Sequence, residues 1–222
     1  MAAAGSAGAT AQPGVGRGER TRLAILAASR QLFLERGYAG TPINAITEAC
    51  GISRAGFYTY FKDKREIFTV LGQTAYHDVL DVIGQWPDTT APGGRARVAA
   101  FVSHYFDYMD THGAFVLASA HSAPSDEAFR SSRNRMVSRA SWKLGQALSD
   151  QALSGQALSD QAWSGDSAHS PDVIGAAVMG LLDRAWYTVH GQTVGVERDE
   201  MVAVVTEMIL AFILAGRGAQ SG

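Results

Sequence analysis

Between residues 41 and 64 the chain runs TPINAITEACGISRAGFYTYFKDK, where hydroxyls, aromatic rings and cations follow one another at short spacing. Groups of these kinds break no bonds by themselves. Their chemistry is recognition: hydroxyls and ammonium groups donate to the oxygens of a nucleic-acid backbone, and a guanidinium fork matches the paired acceptors on the major-groove edge of a guanine. The only guanidinium in the stretch is Arg54, and it stands next to Ser53 and four residues before Tyr58.

These residues need a rigid support, and local rules supply one. Thr41 is a suitable N-cap, Pro42 suits a first helical position, and Ile43, Ile46, Thr47 and Cys50 then share one face. Gly51 stands where a left-handed C-terminal cap is wanted, Ile52 is an apolar plug, and Ser53 caps a second helix beginning at Arg54. The pattern therefore predicts helix, short turn, helix. On the second helix Phe57 and Phe61, four residues apart, pack inward with Ile52, leaving Arg54, Ala55 and Tyr58 outside. An earlier helix over 22–36 is predicted by Ile25, Leu26, Ala28, Ser29, Leu32 and Phe33, which fill one continuous wedge of a helical wheel, with Gly37 to end it.

The run GISRAGFYTYFKDKREIF closely resembles the DNA-binding domain of the TetR family, over roughly residues 20–71. The resemblance implies a role for single residues. Arg54 would read a base, and Ala55 and Gly56 would let the helix approach the groove, Ala55 against a thymine methyl. Tyr58 stands at a position that contacts phosphate or a base. Thr41, Ser53, Thr59, Tyr60 and Lys64 match or neighbour positions that hold phosphates, and Asn44 matches one that reaches a base from the preceding helix. Tyr60 stands where histidine is common. Taken singly, each of these residues is equally ordinary solvated or packing surface; the joint spacing after Gly51 is what points to nucleic acid.

Charge divides the chain the same way. Residues 17–65 carry nine Lys or Arg against four Asp or Glu, while residues 66–222 carry ten against seventeen, so a net charge of −2 conceals a basic head on an acidic body. With 46% hydrophobic and 18% charged residues the composition is that of a globular protein with a sizeable core. The single cysteine, Cys50, excludes an intramolecular disulfide and falls on a packed helix face, which fits a reducing cytoplasm. No apolar run is long enough to span a membrane, and the first residues lack a secretory pattern. The expected organisation is a disordered Ala/Gly-rich tail over 1–18, a helix-turn-helix domain over 19–66, and a helical domain over 67–218.

The remainder predicts an all-α architecture. Helices are expected over 64–86, over 95–111 with Gly113 as its stop, over 125–148, over 171–189 and over 199–215, with a breaker-rich loop at 87–94 and a short apolar segment at 115–120. One internal repeat intervenes, GQALSDQALSGQALSDQAWS at 145–164. Five residues overshoot a helical turn by about 140°, so its large apolar side chains spiral around the axis and make no single stripe. A loop or helix extension over 145–170 is the expectation.

The last two helices are apolar over much of their surfaces. The family resemblance implies that they pair with those of a second copy as a four-helix bundle, giving a homodimer that reads an approximately palindromic double-stranded operator. Tyr105, Met109, Phe115, Trp142, Met179, Trp186 and Tyr187 are large and adaptable enough to line a pocket for a small hydrophobic effector, with Asp183 orienting a ligand's polar end. The same side chains serve equally as core filling, and Asp183 as half of an ion pair. The layout around HYFDYMDTHGAF and MGLLDRAWYTVHG is similar, more loosely, to the mycobacterial ethionamide-regulating repressors, which hold elongated hydrophobic ligands.

No catalytic site, metal site or cofactor is expected. The six histidines form no HExxH pattern, Cys50 has no nearby histidine, and no Gly-rich phosphate loop follows a strand. The reading is a repressor released from its operator by an apolar effector. Its rivals are an architectural DNA-binding protein without effector control and a small helical enzyme with a DNA-binding head.

Overall fold

The computed structural model describes residues 16–89, 91–121, 127–154, 169–190 and 195–218. Among them every regular element is an α-helix: α1 (Arg17–Arg36), α2 (Ile43–Cys50), α3 (Arg54–Tyr58), α4 (Lys64–Gly84), α5 (Gly94–His121), α6 (Glu127–Ser154), α7 (Pro171–His190) and α8 (Arg198–Gly218). Helix α1 buries Ile25, Leu26, Ser29, Leu32 and Phe33, the wedge expected from the sequence. It begins at Arg17, before the expected residue 22 and inside the segment assigned to the tail; Glu19 in its first turn suits the positive end of the helix dipole. Residues 1–15 of the expected tail lie outside the described residues.

The turn motif follows the sequence closely, with one correction. Pro42 occupies the cap position of α2, and Thr41 is no cap: it is fully buried and its hydroxyl donates to the carbonyls of Gly37 at 2.8 Å and Leu32 at 3.1 Å. Gly51 is left-handed at φ 63°, and Ser53 accepts the Gly56 N–H at 3.0 Å. Phe57 and Phe61 are buried beneath α3 with Ile25, Phe33 and Ile46. Asp63 caps α4 by accepting the Glu66 N–H at 2.8 Å, while Glu66 reaches back to the Lys62 N–H at 2.8 Å.

The head has no core of its own that stops at residue 66. Its apolar cluster continues through Phe68, Leu71 and Ala75 of α4 into Phe115 and Ala118 of α5. Phe68 is the hub, its ring centroid 5.2 Å from Phe33, 5.0 Å from Tyr38, 4.8 Å from Phe115 and 5.1 Å from Phe129. A second core fills the body between α4, α5, α6, α7 and α8.

Helix α5 runs through Gly113, where the sequence predicted a stop, and so takes in the separate segment expected at 115–120. The glycine serves a different end: a Cβ there would stand 2.5 Å from the Trp186 ring, so its absence seats the indole of α7 against the helix. Helices α6 and α7 meet more closely still. A Cβ on Gly145 would fall 1.6 Å from the Pro171 carbonyl oxygen, and one on Gly175 would fall 1.7 Å from that of Ser141. The first two copies of the pentapeptide thus belong to α6, with Leu148 buried, and residues 155–168 lie outside the described residues.

Helices α7 and α8 bury one face and expose another. Ile174, Val178, Leu182, Val205, Ile209 and Ile213 point into the body core, whereas Val173, Tyr187, Val204, Met208 and Phe212 are 42–56% exposed. No helix among the described residues is long and apolar enough to cross a membrane.

Candidate nucleic-acid interface and ligand cavity

On the outer face of the head Arg54 is fixed by two neighbours. It donates from Nη1 to Asn44 Oδ1 at 2.6 Å and from Nη2 to the Tyr58 hydroxyl at 3.0 Å, with its guanidinium 5.6 Å over the Tyr58 ring. All three residues are exposed, so a side chain with many rotamers is held in one outward pose by partners from α2 and α3. Ala55 and Thr59 flank it on the surface.

The other expected contacts divide by what already occupies them. Thr41 faces the interior, as above. Ser53 spends an acceptor on its cap, and Gly56 is half-buried, its absent Cβ leaving room 3.2 Å from the Ser53 oxygen; the small residue serves the cap as much as any approach to a groove. Tyr60 is half-buried against the head core. Lys64 donates from Nζ to the carbonyls of Tyr38 at 2.5 Å and Thr41 at 2.9 Å and lies 4.5 Å over the Tyr38 ring. Desolvation lowers its pKa, and its ammonium pins the turn between α1 and α2 to α4. Arg65, passed over in the sequence, joins Arg54 and Lys64 on a shallow groove beside Tyr38 and Pro42.

Behind the head, α4, α5, α6 and α7 enclose a mainly apolar cavity of about 380 Å³. Of the eight residues expected around a ligand, Tyr105, Phe115, Met179 and Asp183 line it. The other four do not. Met109 is fully buried in the body core; Trp142 is 52% exposed on α6; Tyr187 lies on the exposed face of α7; and Trp186 is buried, stacked on His190 with Nε1 donating to Asp110 at 2.7 Å. Helical spacing gave their size and not their direction. The wall includes residues that the sequence left unmarked, among them Tyr76, Tyr108, Phe129 and Arg133.

The polar groups of the cavity are few. Tyr105 donates its hydroxyl to Asp183 Oδ1 at 2.7 Å. Burial pushes the Asp183 carboxyl above the usual range, opposed by that hydrogen bond, and burial together with the Asp183 charge pushes both Tyr105 and Tyr108 upward. Arg133 donates from Nε to Ser119 Oγ at 3.2 Å, and desolvation lowers its pKa. Phe115 and Phe129 belong at once to the cavity wall and to the ring cluster around Phe68, so the cavity and the head share a packed boundary.

Comparison with known proteins agrees with this division. Residues 25–71 match the family model described as bacterial regulatory proteins, tetR family. The chain is 29% identical over 94 residues to the HTH-type transcriptional activator FasR of Mycolicibacterium smegmatis, covering 42% of each chain. It is 39% identical over 57 residues to the HTH-type transcriptional repressor BepR of Brucella suis, covering 25% of this chain and 27% of that one. The matched part thus spans less than half the length of these curated relatives. Likeness of fold extends much further: the structure of AibR in complex with isovaleryl coenzyme A and operator DNA superposes with a TM-score of 0.59 at 21% identity, over 85% of this chain and 96% of that one. The head of this chain thus resembles the tetR-family model over residues 25–71, and together with the helices behind it shares the fold of AibR.

Proposed function

We propose that the protein is a homodimeric transcriptional repressor that binds an approximately palindromic operator and is released from it by a small apolar effector. The observation that carries the reading is the exposed Arg54, braced by Asn44 and Tyr58 on a basic head. A guanidinium already held in place pays little ordering entropy when it meets a guanine edge. Asn44, Tyr58, Thr59 and Arg65 supply the surrounding donors, with Lys64 reaching a phosphate only where it gives up a carbonyl.

The exposed apolar faces of α7 and α8 support dimerisation, because Val173, Val204, Met208 and Phe212 leave large apolar side chains in water that a second copy could cover. Two-fold symmetry then presents two recognition helices about one DNA turn, or a multiple of it, apart. The cavity supports effector control. A ligand that moves Phe115 or Phe129 moves the rings packed on Phe68, and with them Phe33 and Tyr38 of the head. Linkage makes effector and operator compete when the two favour different head positions. AibR, crystallised with an acyl thioester and operator DNA, has both partners on the same fold. An architectural DNA-binding role would leave the cavity without a purpose.

The reading is tested by selecting duplexes from a random pool with the full chain, then challenging the selected complex with apolar metabolites. The expected result is a symmetric consensus, lost in Arg54→Ala, and release by one class of compound. Binding without sequence preference at moderate salt would overturn it.

A further inference from the structure

Asp183 is an acid without a cation. Its one hydrogen-bond partner is the neutral hydroxyl of Tyr105, and among the described residues no lysine, arginine or histidine pairs with it. The adjacent Arg184 is exposed, its guanidinium 5.4 Å over the Tyr187 ring; it shares a second, more open concavity with Asp183 but makes no ion pair with it. The contrast with Asp110 is instructive, since that carboxylate takes Arg198 at 2.8 Å and His190 at 3.1 Å. Two arginines line the cavity: Arg65 in the first turn of α4, and Arg133, which is tied to Ser119, fourteen residues along α5 from Tyr105, or about 21 Å at the rise of a helix.

An ionised carboxylate in an apolar cavity is costly unless a positive charge or several donors meet it, and one phenol falls short of that. The walls around it are aromatic and polarisable, with Tyr105, Tyr108, Tyr76 and Met179 among them. Ring faces of this kind attract cations. We infer that the ligand of this cavity is a lipophilic amine or ammonium compound, its cationic nitrogen paired with Asp183 and its apolar body lying along α5 toward Phe115 and Phe129. This rests on the effector reading above and names the chemical class that the site selects. An anionic ligand anchored on Arg133 would leave the Asp183 carboxyl without a counter-charge.

The test uses the full chain and three probes of equal length, 1-aminodecane, 1-decanol and decanoate, each titrated calorimetrically below its micelle-forming concentration. The amine is expected to bind about tenfold or more tighter than the alcohol, with decanoate weakest. In Asp183→Asn the amine loses that advantage while the alcohol changes less than about threefold. The wild-type comparison stands without the variant, should Asp183→Asn fail to fold. Equal binding of amine and alcohol, tightest binding by decanoate, or binding by none of the three would each overturn the inference. Operator release is measured separately: tight amine binding with no release keeps the ligand class and sinks effector control, whereas release by decanol or decanoate with no preference for the amine does the reverse.

Discussion

Asp78 of α4 and His112 of α5 meet at 2.7 Å, and Arg30 of α1 is close enough to act electrostatically on both. Three helices, one from the head and two from the body, thus converge on a polar cluster in an otherwise apolar junction. His112 is 2% exposed, and its Nδ1 and the Nε of Arg30 have no hydrogen-bond partner among the described residues.

This cluster sets a pH dependence with a defined sign. Burial holds the imidazole below its ordinary 6.5; the Asp78 hydrogen bond opposes that, and Arg30 adds to it. The unfolded chain therefore takes up a proton near 6.5 that the folded chain resists, so the contribution to stability is present above that pH and is lost as pH falls below it. Urea midpoints measured from about pH 7.5 down to about pH 5.5 should decline in the wild type and decline less in His112→Gln. The variant itself should cost about 1–3 kcal/mol at neutral pH, having lost the part-buried hydrogen bond to Asp78. A variant that declines as steeply as the wild type would show that other groups set the profile.

The crossing of α6 and α7 makes a sharper stability prediction. With Cβ positions at 145 and 175 falling on carbonyl oxygens of the other helix, Gly145→Ala or Gly175→Ala forces the backbones apart and should cost about 2 kcal/mol or more. Gly180→Ala is the control for the isolated chain: nothing stands within 4 Å of its Cβ position there, so with denaturation read on the monomer, away from any pairing of the α7 face it shares with Val173 and Tyr187, stability should change by less than about 1 kcal/mol. Chemical denaturation of the three variants decides it.

These glycines also show where the sequence was legible and where it was not. Gly51 and Ser53 act within a few residues of their own position, so their cap and turn could be read directly, as could the wedge of α1 and the pairing of Phe57 with Phe61. Gly113 carried the same local signal as a helix stop, yet its role is set by Trp186, seventy-three residues away. The cavity follows the same rule. Tyr105 and Asp183 find each other across α5 and α7, but helical spacing alone could not tell that Trp142 and Tyr187 point outward or that Met109 is plain core. Lys64 matched its family position by type, and only the fold revealed that two carbonyls of the preceding turn hold its ammonium.

That difference between Arg54 and Lys64 separates two kinds of loss on DNA. If Arg54 reads a base as proposed, Arg54→Ala removes that contact without touching the core, so affinity for the selected operator should fall about tenfold or more while binding to unrelated duplex changes little. Lys64→Ala removes a clamp on the head, so it should lower the thermal midpoint and weaken all duplexes alike. Asn44→Ala should reproduce part of the Arg54 effect, because it frees the guanidinium from one of its two supports. Fluorescence anisotropy against operator and scrambled duplexes, run beside thermal melts, checks all three; equal discrimination by Arg54→Ala and wild type would contradict the assignment.

The exposed face of α8 carries the last prediction. Met208 is 51% exposed and Phe212 46%, while Val205, Ile209 and Ile213 on the opposite side are buried in the body core. A glutamate at 208 therefore meets water in an isolated chain but would bury a charge against a second copy, a penalty of several kcal/mol for each ion after relaxation. Met208→Glu should sediment as a monomer at concentrations where the wild type forms the proposed dimer. Its operator affinity should collapse, since each head alone holds only half a site, although Arg54 and the head core are untouched. A dimer that survives the substitution would move the interface elsewhere, and the exposed Trp142 and Val137 of α6 would then be the surface to mutate next.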